Sequence, residues 1–129
     1  MIIDFTENIN PESLSPQTEF EEKVISFLKE WYSSVPKVSV QTSGSTGIPK
    51  VFEIEKNKML NSARMTCDFL NLKEGDTALL CLPVEYISGK MMVVRALERK
   101  LRLTVATPTA KPVNNLEINT DFCAMSPLQ

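Results

Sequence analysis

The sequence predicts an α/β fold with a mostly parallel sheet flanked by helices. Segments with helical periodicity alternate along the chain with short apolar segments, which is the order expected of βαβ units. The run 77–82 is continuously apolar, as in a strand that is covered on both faces. A length of 129 residues, of which 43% are hydrophobic, is enough for one packed core.

The beginning of the chain is expected to be an irregular start over residues 1–15, followed by an amphipathic helix over residues 16–35. Ser15 can cap this helix, and Pro16 suits its first position. Pro36 ends it. Its apolar side chains share one helical face: Phe20, Val24, Phe27, Leu28, Trp31 and Val35.

The remaining elements follow from alternation and periodicity. Residues 38–55 are expected to form a strand, a loop and a second strand. Residues 56–129 are expected to form the α/β portion of a single domain that spans residues 1–129. Its elements are a helix over about 57–71, a strand over 77–82, a loop over 83–88, a helix over 89–100, a strand over 101–105, a polar connection over 108–119 and a short strand over 121–125.

The loop between the two strands of 38–55 contains the most specific motif of the chain. Gly44 and Gly47 can adopt positive φ, so that backbone N–H groups turn inward around one anion. Lys50 adds a cation that can reach a phosphate oxygen. Three short hydroxyl donors lie among them: Ser43, Ser45 and Thr46. The alternative interpretation is a flexible Ser/Gly turn that binds no ligand.

The whole string Thr42-Ser43-Gly44-Ser45-Thr46-Gly47-Ile48-Pro49-Lys50 resembles the phosphate loop of the adenylate-forming enzymes. This family includes acyl-CoA synthetases, luciferases and peptide-synthetase adenylation domains, and the string matches its pattern at every fixed position. The resemblance implies that Thr42 to Gly47 and Lys50 bind the phosphates of ATP, with Lys50 as the catalytic residue. Mg²⁺ would share the phosphate charge, without a separate metal site in the protein.

A second segment, Leu82 to Gly89, follows the buried strand, and the carboxyl ends of parallel strands are where open α/β sheets bind ligands. It is similar to the segment of the same family that lines the acyl pocket, which implies that role for Tyr86, Ser88 and Gly89. Many relatives carry His at the position of Tyr86. The alternative for Tyr86 is a half-buried loop aromatic. The stretch 86–97 is most similar to o-succinylbenzoate–CoA ligases of menaquinone synthesis.

The reaction implied by the resemblance has two steps. A carboxylate attacks the α-phosphate of ATP and releases pyrophosphate, and the CoA thiol then attacks the acyl-adenylate. The carboxylate is already ionised at neutral pH, so a chain without any His can support the first step. The partners are therefore a small carboxylic acid, ATP and CoA.

The resemblance covers only the first part of such an enzyme, so the fold is expected to be an incomplete N-terminal subdomain. The adenine-stacking segment, the ribose-binding Tyr-x-Thr-Gly-Asp segment and the late lysine of the family are absent from the 129 residues. These residues alone are expected to be inactive, and apolar surface left uncovered favours a homodimer. The alternatives are a stand-alone nucleotide- or anion-binding module and a purely structural interaction protein.

Composition excludes several other classes. The net charge of −2 argues against nucleic acid as a partner. Met1 to Asp4 lack the basic start and long apolar run of a signal peptide, and no apolar run is long enough to span a membrane, so neither is expected. Three widely spaced cysteines without a C-x-x-C motif indicate buried thiols in a reduced, cytoplasmic protein: Cys67, Cys81 and Cys123.

Overall fold

The computed structural model describes residues 1–42, 48, 50–110, 119–127 and 129. Within these residues the chain forms strands, three α-helices and a short 3₁₀ helix over Pro11–Ser13. The strands and α-helices, in chain order, are β1 (Ile2–Asp4), α1 (Glu19–Tyr32), β2 (Lys37–Gln41), β3 (Val51–Glu55), α2 (Lys56–Phe69), β4 (Thr77–Leu80), α3 (Ile87–Arg99), β5 (Arg102–Val105) and β6 (Phe122–Cys123).

Among the described residues, the main sheet has four strands in the order β1-β5-β4-β6. β4 pairs in parallel with both β5 and β6, and β1 is antiparallel to β5. β4, α3 and β5 form a βαβ unit, as the alternation of patterns predicted. Ala78, Leu79 and Leu80 of β4 are all buried, as expected for a strand with both faces covered. The predicted fold class, a mostly parallel sheet flanked by helices, is confirmed.

β2 and β3 form a separate antiparallel hairpin. Val38 and Val40 alternate with exposed residues along β2, and both are almost fully buried. The side chain of Lys56, the first residue of α2, donates hydrogen bonds to the carbonyl oxygens of Glu30 and Ser33, each at 2.9 Å. The hairpin is therefore fastened to the end of α1 at the point where it continues into α2.

α1 is shorter than the helix predicted over residues 16–35, since it spans Glu19–Tyr32. Thr18 is the N-cap, and its hydroxyl accepts a hydrogen bond from the backbone N–H of Glu21 at 3.1 Å. The prediction that Ser15 caps the helix was wrong. Thr18 is followed by three acidic residues in the first turn, which the positive end of the helix dipole favours.

The start over residues 1–15 is not wholly irregular, as β1 and the 3₁₀ helix show. β1 pairs Ile3 with Leu103, and the side chain of Ile3 is 1% exposed. A strand of three residues is too short to reveal its period in the sequence. α3 also begins at Ile87, inside the predicted loop 83–88, and the last strand is limited to Phe122–Cys123.

The core lies between the main sheet and the helices. α1 contributes Val24, Phe27, Leu28 and Trp31, and α3 contributes Met92, Val93 and Val94, all of them buried. In the part of the chain that the structure describes, no helix has the length and apolarity required to cross a membrane.

Candidate functional site

The two ends of the predicted phosphate loop meet at the tip of the β2–β3 hairpin. The backbone N–H of Thr42 donates to the carbonyl oxygen of Lys50 at 2.9 Å, and the N–H of Lys50 donates to the hydroxyl of Thr42 at 3.2 Å. Ser43, Gly44, Ser45, Thr46 and Gly47, together with Pro49, lie outside the described residues. The paired ends hold the loop closed at its base, and Lys50 itself is exposed.

The hairpin is joined directly to the second predicted segment. The backbone N–H of Gln41 donates to the carbonyl oxygen of Glu85 at 3.1 Å, and Gln41 forms an isolated parallel bridge with Tyr86. Gln41 immediately precedes Thr42, where the phosphate motif begins. The structure therefore brings the base of the phosphate loop and Tyr86 together, although Tyr86 lies 44 positions after Thr42 in the sequence.

Tyr86 is positioned at the beginning of α3. It is the N-cap residue, with extended backbone angles, and its carbonyl oxygen accepts the hydrogen bond from the N–H of Lys90 at 3.1 Å. Its own N–H donates to the carbonyl oxygen of Pro83 at 3.4 Å, which closes the turn after β4. Tyr86 is half-buried, and Ser88 is exposed.

Tyr86 and Ser88 line one cavity of about 520 Å³ at the carboxyl edge of the main sheet. Three segments build it, following β4, β5 and β6 in turn. Its lining residues are Leu82, Pro83, Tyr86, Ser88, Pro108, Thr109, Ala110, Ser126 and Gln129. The volume is in the range of small-molecule sites. Sequence reasoning missed the contributions from the segments after β5 and β6, although both follow strands at the edge where ligands are expected.

Gly89 is not among the described residues that line this cavity, and it contacts the backbone of the wall instead. A Cβ atom at Gly89 would lie 2.1 Å from the carbonyl oxygen of Pro83 and 2.9 Å from that of Leu82. Only glycine allows the first turn of α3 to approach the backbone of Leu82 and Pro83 so closely. Gly89 therefore fixes the position of the wall.

A group of charges lies beside the site, and sequence reasoning missed it. Lys23 of α1 forms an ion pair with Glu85 at 2.7 Å, and the hydrogen bond from Lys23 holds the pKa of Glu85 below its usual value. Lys90 is buried, with its ammonium 4.4 Å from the centre of the Phe27 ring. Burial lowers the pKa of Lys90, against the opposing effect of Glu30 and Glu85.

Glu85 contacts two neighbouring elements, one through its backbone and one through its side chain. Its carbonyl oxygen fastens the hairpin through Gln41, and its carboxylate fastens α1 through Lys23. No pattern in the sequence pointed to Lys23 or Glu85, since both occur as ordinary charged residues on a helix and in a loop. The loop before α3 is held by contacts from α1 and from the hairpin.

The cysteines are free thiols. Cys67 and Cys81 are buried and Cys123 is half-buried, with 3.7 Å between the sulfur atoms of Cys81 and Cys123. Burial, with a smaller contribution from Cys123, raises the pKa of Cys81 to about 12. A thiol with this pKa is protonated at neutral pH and is a poor nucleophile. Packing is the role that the structure supports for Cys81.

Comparisons with protein-family profiles and with curated proteins give no match. Among solved structures, the chain is similar to an acyl-CoA synthetase (AMP-forming)/AMP-acid ligase II-like protein from Dyadobacter fermentans DSM 18053, with 35% sequence identity and a TM-score of 0.88. The match covers 99% of this chain and 36% of that protein, so the chain spans about a third of its relative's length. The chain thus has the fold of part of an AMP-forming ligase, which supports the resemblance to adenylate-forming enzymes.

Proposed function

We propose that this chain belongs to the adenylate-forming enzymes and supplies the triphosphate loop and part of the acid pocket of an ATP-dependent acid–CoA ligase. One observation carries the proposal. The hairpin that bears the phosphate motif is hydrogen-bonded, through Gln41 and Glu85, to the segment that lines the cavity. A triphosphate held by the motif and an acid held in the cavity would therefore lie side by side.

In this proposal the residues act by positioning and by neutralising charge, which is what phosphoryl and nucleotidyl transfer needs. Backbone and hydroxyl groups of Thr42 to Gly47 would bind the β- and γ-phosphates, and Lys50 would offset the charge that develops on the departing pyrophosphate. Tyr86 and Ser88 would contact the acid, and CoA would be the second substrate. No general base is required, because the attacking carboxylate is ionised.

Mg²⁺ would arrive with the triphosphate and share its charge. Among the described residues, no group of three or more His, Cys, Asp or Glu side chains could hold a metal ion. Phosphate oxygens are ligands that Mg²⁺ commonly uses, with only one or two protein carboxylates added. Binding of Mg²⁺ to this chain would therefore depend on the phosphates that the Thr42–Lys50 segment would bind.

The specific reaction we propose is the ligation of o-succinylbenzoate to CoA in menaquinone synthesis. Its support is the similarity of residues 86–97 to those ligases and the presence of Tyr86 in the wall of a cavity of suitable size. We also propose a reducing, cytoplasmic setting, because the three cysteines are odd in number, widely spaced in the sequence and lack a C-x-x-C motif. The homodimer stays a prediction, and light scattering by the purified chain would test it.

The alternative is a stand-alone nucleotide- or anion-binding module without catalysis. The segments that hold adenine, ribose and the α-phosphate in the family are absent from these 129 residues. We therefore expect the 129 residues alone to catalyse no adenylation. Detection of an acyl-adenylate, trapped as a hydroxamate with hydroxylamine, would contradict that expectation.

The experiment that tests the phosphate role compares ATP·Mg binding by the natural chain and by Lys50→Ala. A hydrogen bond to a charged group contributes about 1.5–3 kcal/mol, so Kd should rise roughly tenfold to a hundredfold. Lys58→Ala, an exposed lysine on α2, is the matched control and should leave Kd unchanged. Equal affinities of Lys50→Ala and the natural chain would refute the role of Lys50 in binding the phosphates.

A further inference from the structure

The side chain of Gln129 connects the segments that follow all three parallel strands of the main sheet. Its Nε2 atom donates to the carbonyl oxygen of Cys81, after β4, and to that of Thr109, after β5, each at 2.9 Å. Its Oε1 atom accepts from the backbone N–H of Ser126, after β6, at 3.0 Å. One carboxamide therefore ties three stretches of chain at the same edge of the sheet.

These ties lie in the wall of the 520 Å³ cavity. Thr109, Ser126 and Gln129 are lining residues, and Cys81 directly precedes Leu82, which is another. The hydrogen bonds of Gln129 thus join the wall after β4 to the walls after β5 and β6. The spacing of these walls sets the width of the space that a bound molecule can occupy.

The chemistry of this position is specific to glutamine. A primary amide has two N–H donors and an acceptor oxygen on one rigid plane, and here both donors and the acceptor are engaged. Glutamate would place a carboxylate against two carbonyl oxygens. Lysine has no acceptor, and asparagine is one methylene shorter. No other side chain satisfies the three backbone groups at this reach.

We propose that Gln129 is a positioning residue that holds the walls of the cavity at a fixed spacing and thereby determines which carboxylic acids fit. The proposal rests on the proposed function for the statement that the occupant is an acid. It assigns Gln129 no contact with the reacting atoms. Its effect is exerted through the backbone at Cys81, Thr109 and Ser126, which it holds in place.

The test uses Gln129→Met and Gln129→Glu in the protein expressed from its complete reading frame. Methionine keeps the length and loses all three side-chain hydrogen bonds, and glutamate keeps only the acceptor. Gln17→Met, at an exposed glutamine before α1, is the matched control. Pyrophosphate release is measured with o-succinylbenzoate and ATP, and hydrogen–deuterium exchange is followed over residues 104–110.

Both Gln129 variants should raise KM for the acid about tenfold, because the loosened cavity wall must become ordered when the acid binds. KM for ATP should stay within about twofold of the natural value. Exchange over 104–110 should accelerate about tenfold. A merely structural role would instead lower the amount of active enzyme and leave both KM values unchanged. The Gln17→Met control should match the natural protein in each measurement.

The outcomes separate this proposal from the proposed function. If hydrogen–deuterium exchange over residues 104–110 is unchanged in both variants, the claim that Gln129 holds the walls is overturned, whether or not the protein is active. Accelerated exchange with an unchanged KM for the acid overturns the claim on acid selection. If the natural protein releases no pyrophosphate with the acid, the proposed function fails, and so does the statement that the occupant is this acid. The exchange result then decides whether Gln129 holds the walls.

Discussion

Replacing Gly89 with alanine tests the close contact on which the wall of the cavity depends. The added Cβ would lie 2.1 Å from the carbonyl oxygen of Pro83, where ordinary contacts begin near 3.4 Å. That oxygen belongs to the backbone, so no side-chain rotation can relieve the overlap, and α3 or the Leu82–Pro83 backbone must move by roughly 1 Å. Overpacking of this kind costs about 1–3 kcal/mol, occasionally more, and we expect the upper end here.

For a chain of this length, 1 kcal/mol corresponds to roughly 3–5 °C in Tm, so Gly89→Ala should lower Tm by about 10 °C. Thermal unfolding followed by circular dichroism measures the change. Gly75→Ala is one control. Gly75 has a φ of +85°, and among the described residues no atom beyond its chain neighbours lies within 4 Å of the position that an added Cβ would take, so only backbone strain of about 1 kcal/mol is expected.

Ser88→Ala is the second control, since Ser88 is exposed and adjacent to Gly89, and its effect should stay within about 0.5 kcal/mol. A Gly89→Ala variant with a Tm within about 2 °C of the natural chain would refute the close approach of α3 to Pro83. The same result would remove the argument that Gly89 fixes the position of the cavity wall.

Two further predictions concern ionisable groups. Hydrogen bonds from the N–H of Gln17 and from the N-terminal ammonium hold the pKa of Glu21 below its usual 4.5. The Glu21 carboxylate therefore contributes its full stabilisation at pH values above its usual pKa. This contribution is lost as the pH falls through the lowered pKa of the folded state. Urea unfolding between about pH 6 and pH 3 should show a smaller loss of stability for Glu21→Gln than for the natural chain, and equal losses would contradict this. The thiol of Cys81, with a pKa of about 12, should react with a disulfide reagent at about pH 8 far more slowly than the half-buried Cys123, and equal labelling rates of the two in mapped peptides would count against its burial.

The elements predicted correctly are those whose patterns are long enough to be detected locally. α2 was found from its apolar stripe, α3 from its nearly all-apolar central stretch, and β4 from its continuous apolar run, within a few residues of their ends. β1 was missed because three residues cannot show a period, and its pairing with β5 depends on residues about a hundred positions away. The start of α1 was misplaced because Ser15 and Thr18 are both suitable caps, and the Thr18-x-x-Glu21 spacing of a capping box, which favours Thr18, was overlooked.

The residues of the candidate site also differ in how far the sequence alone predicts them. The Thr42–Lys50 motif and Tyr86 carry local signatures, so the sequence alone singled them out. They are adjacent because the backbone N–H of Gln41 donates a hydrogen bond to the carbonyl oxygen of Glu85. A hydrogen bond between backbone groups cannot be predicted from the side chains in the sequence. The roles of Gly89 and Gln129 are also contacts with backbone carbonyls, which are present at every residue and so leave no trace in composition or spacing.

The pairing of β1 with β5 determines the order in which the sheet can be completed. Ile2 lies opposite Thr104, so this edge closes a loop that includes most of the chain, whereas β4 and β5 are joined through one intervening helix. Loop-closure entropy rises with the length of chain enclosed, and the β4–α3–β5 unit should therefore assemble first. During synthesis on the ribosome, Ile3 and Phe5 leave the exit tunnel long before their partners do. A segment with two buried apolar side chains is thus exposed throughout that interval, when it is available to chaperones.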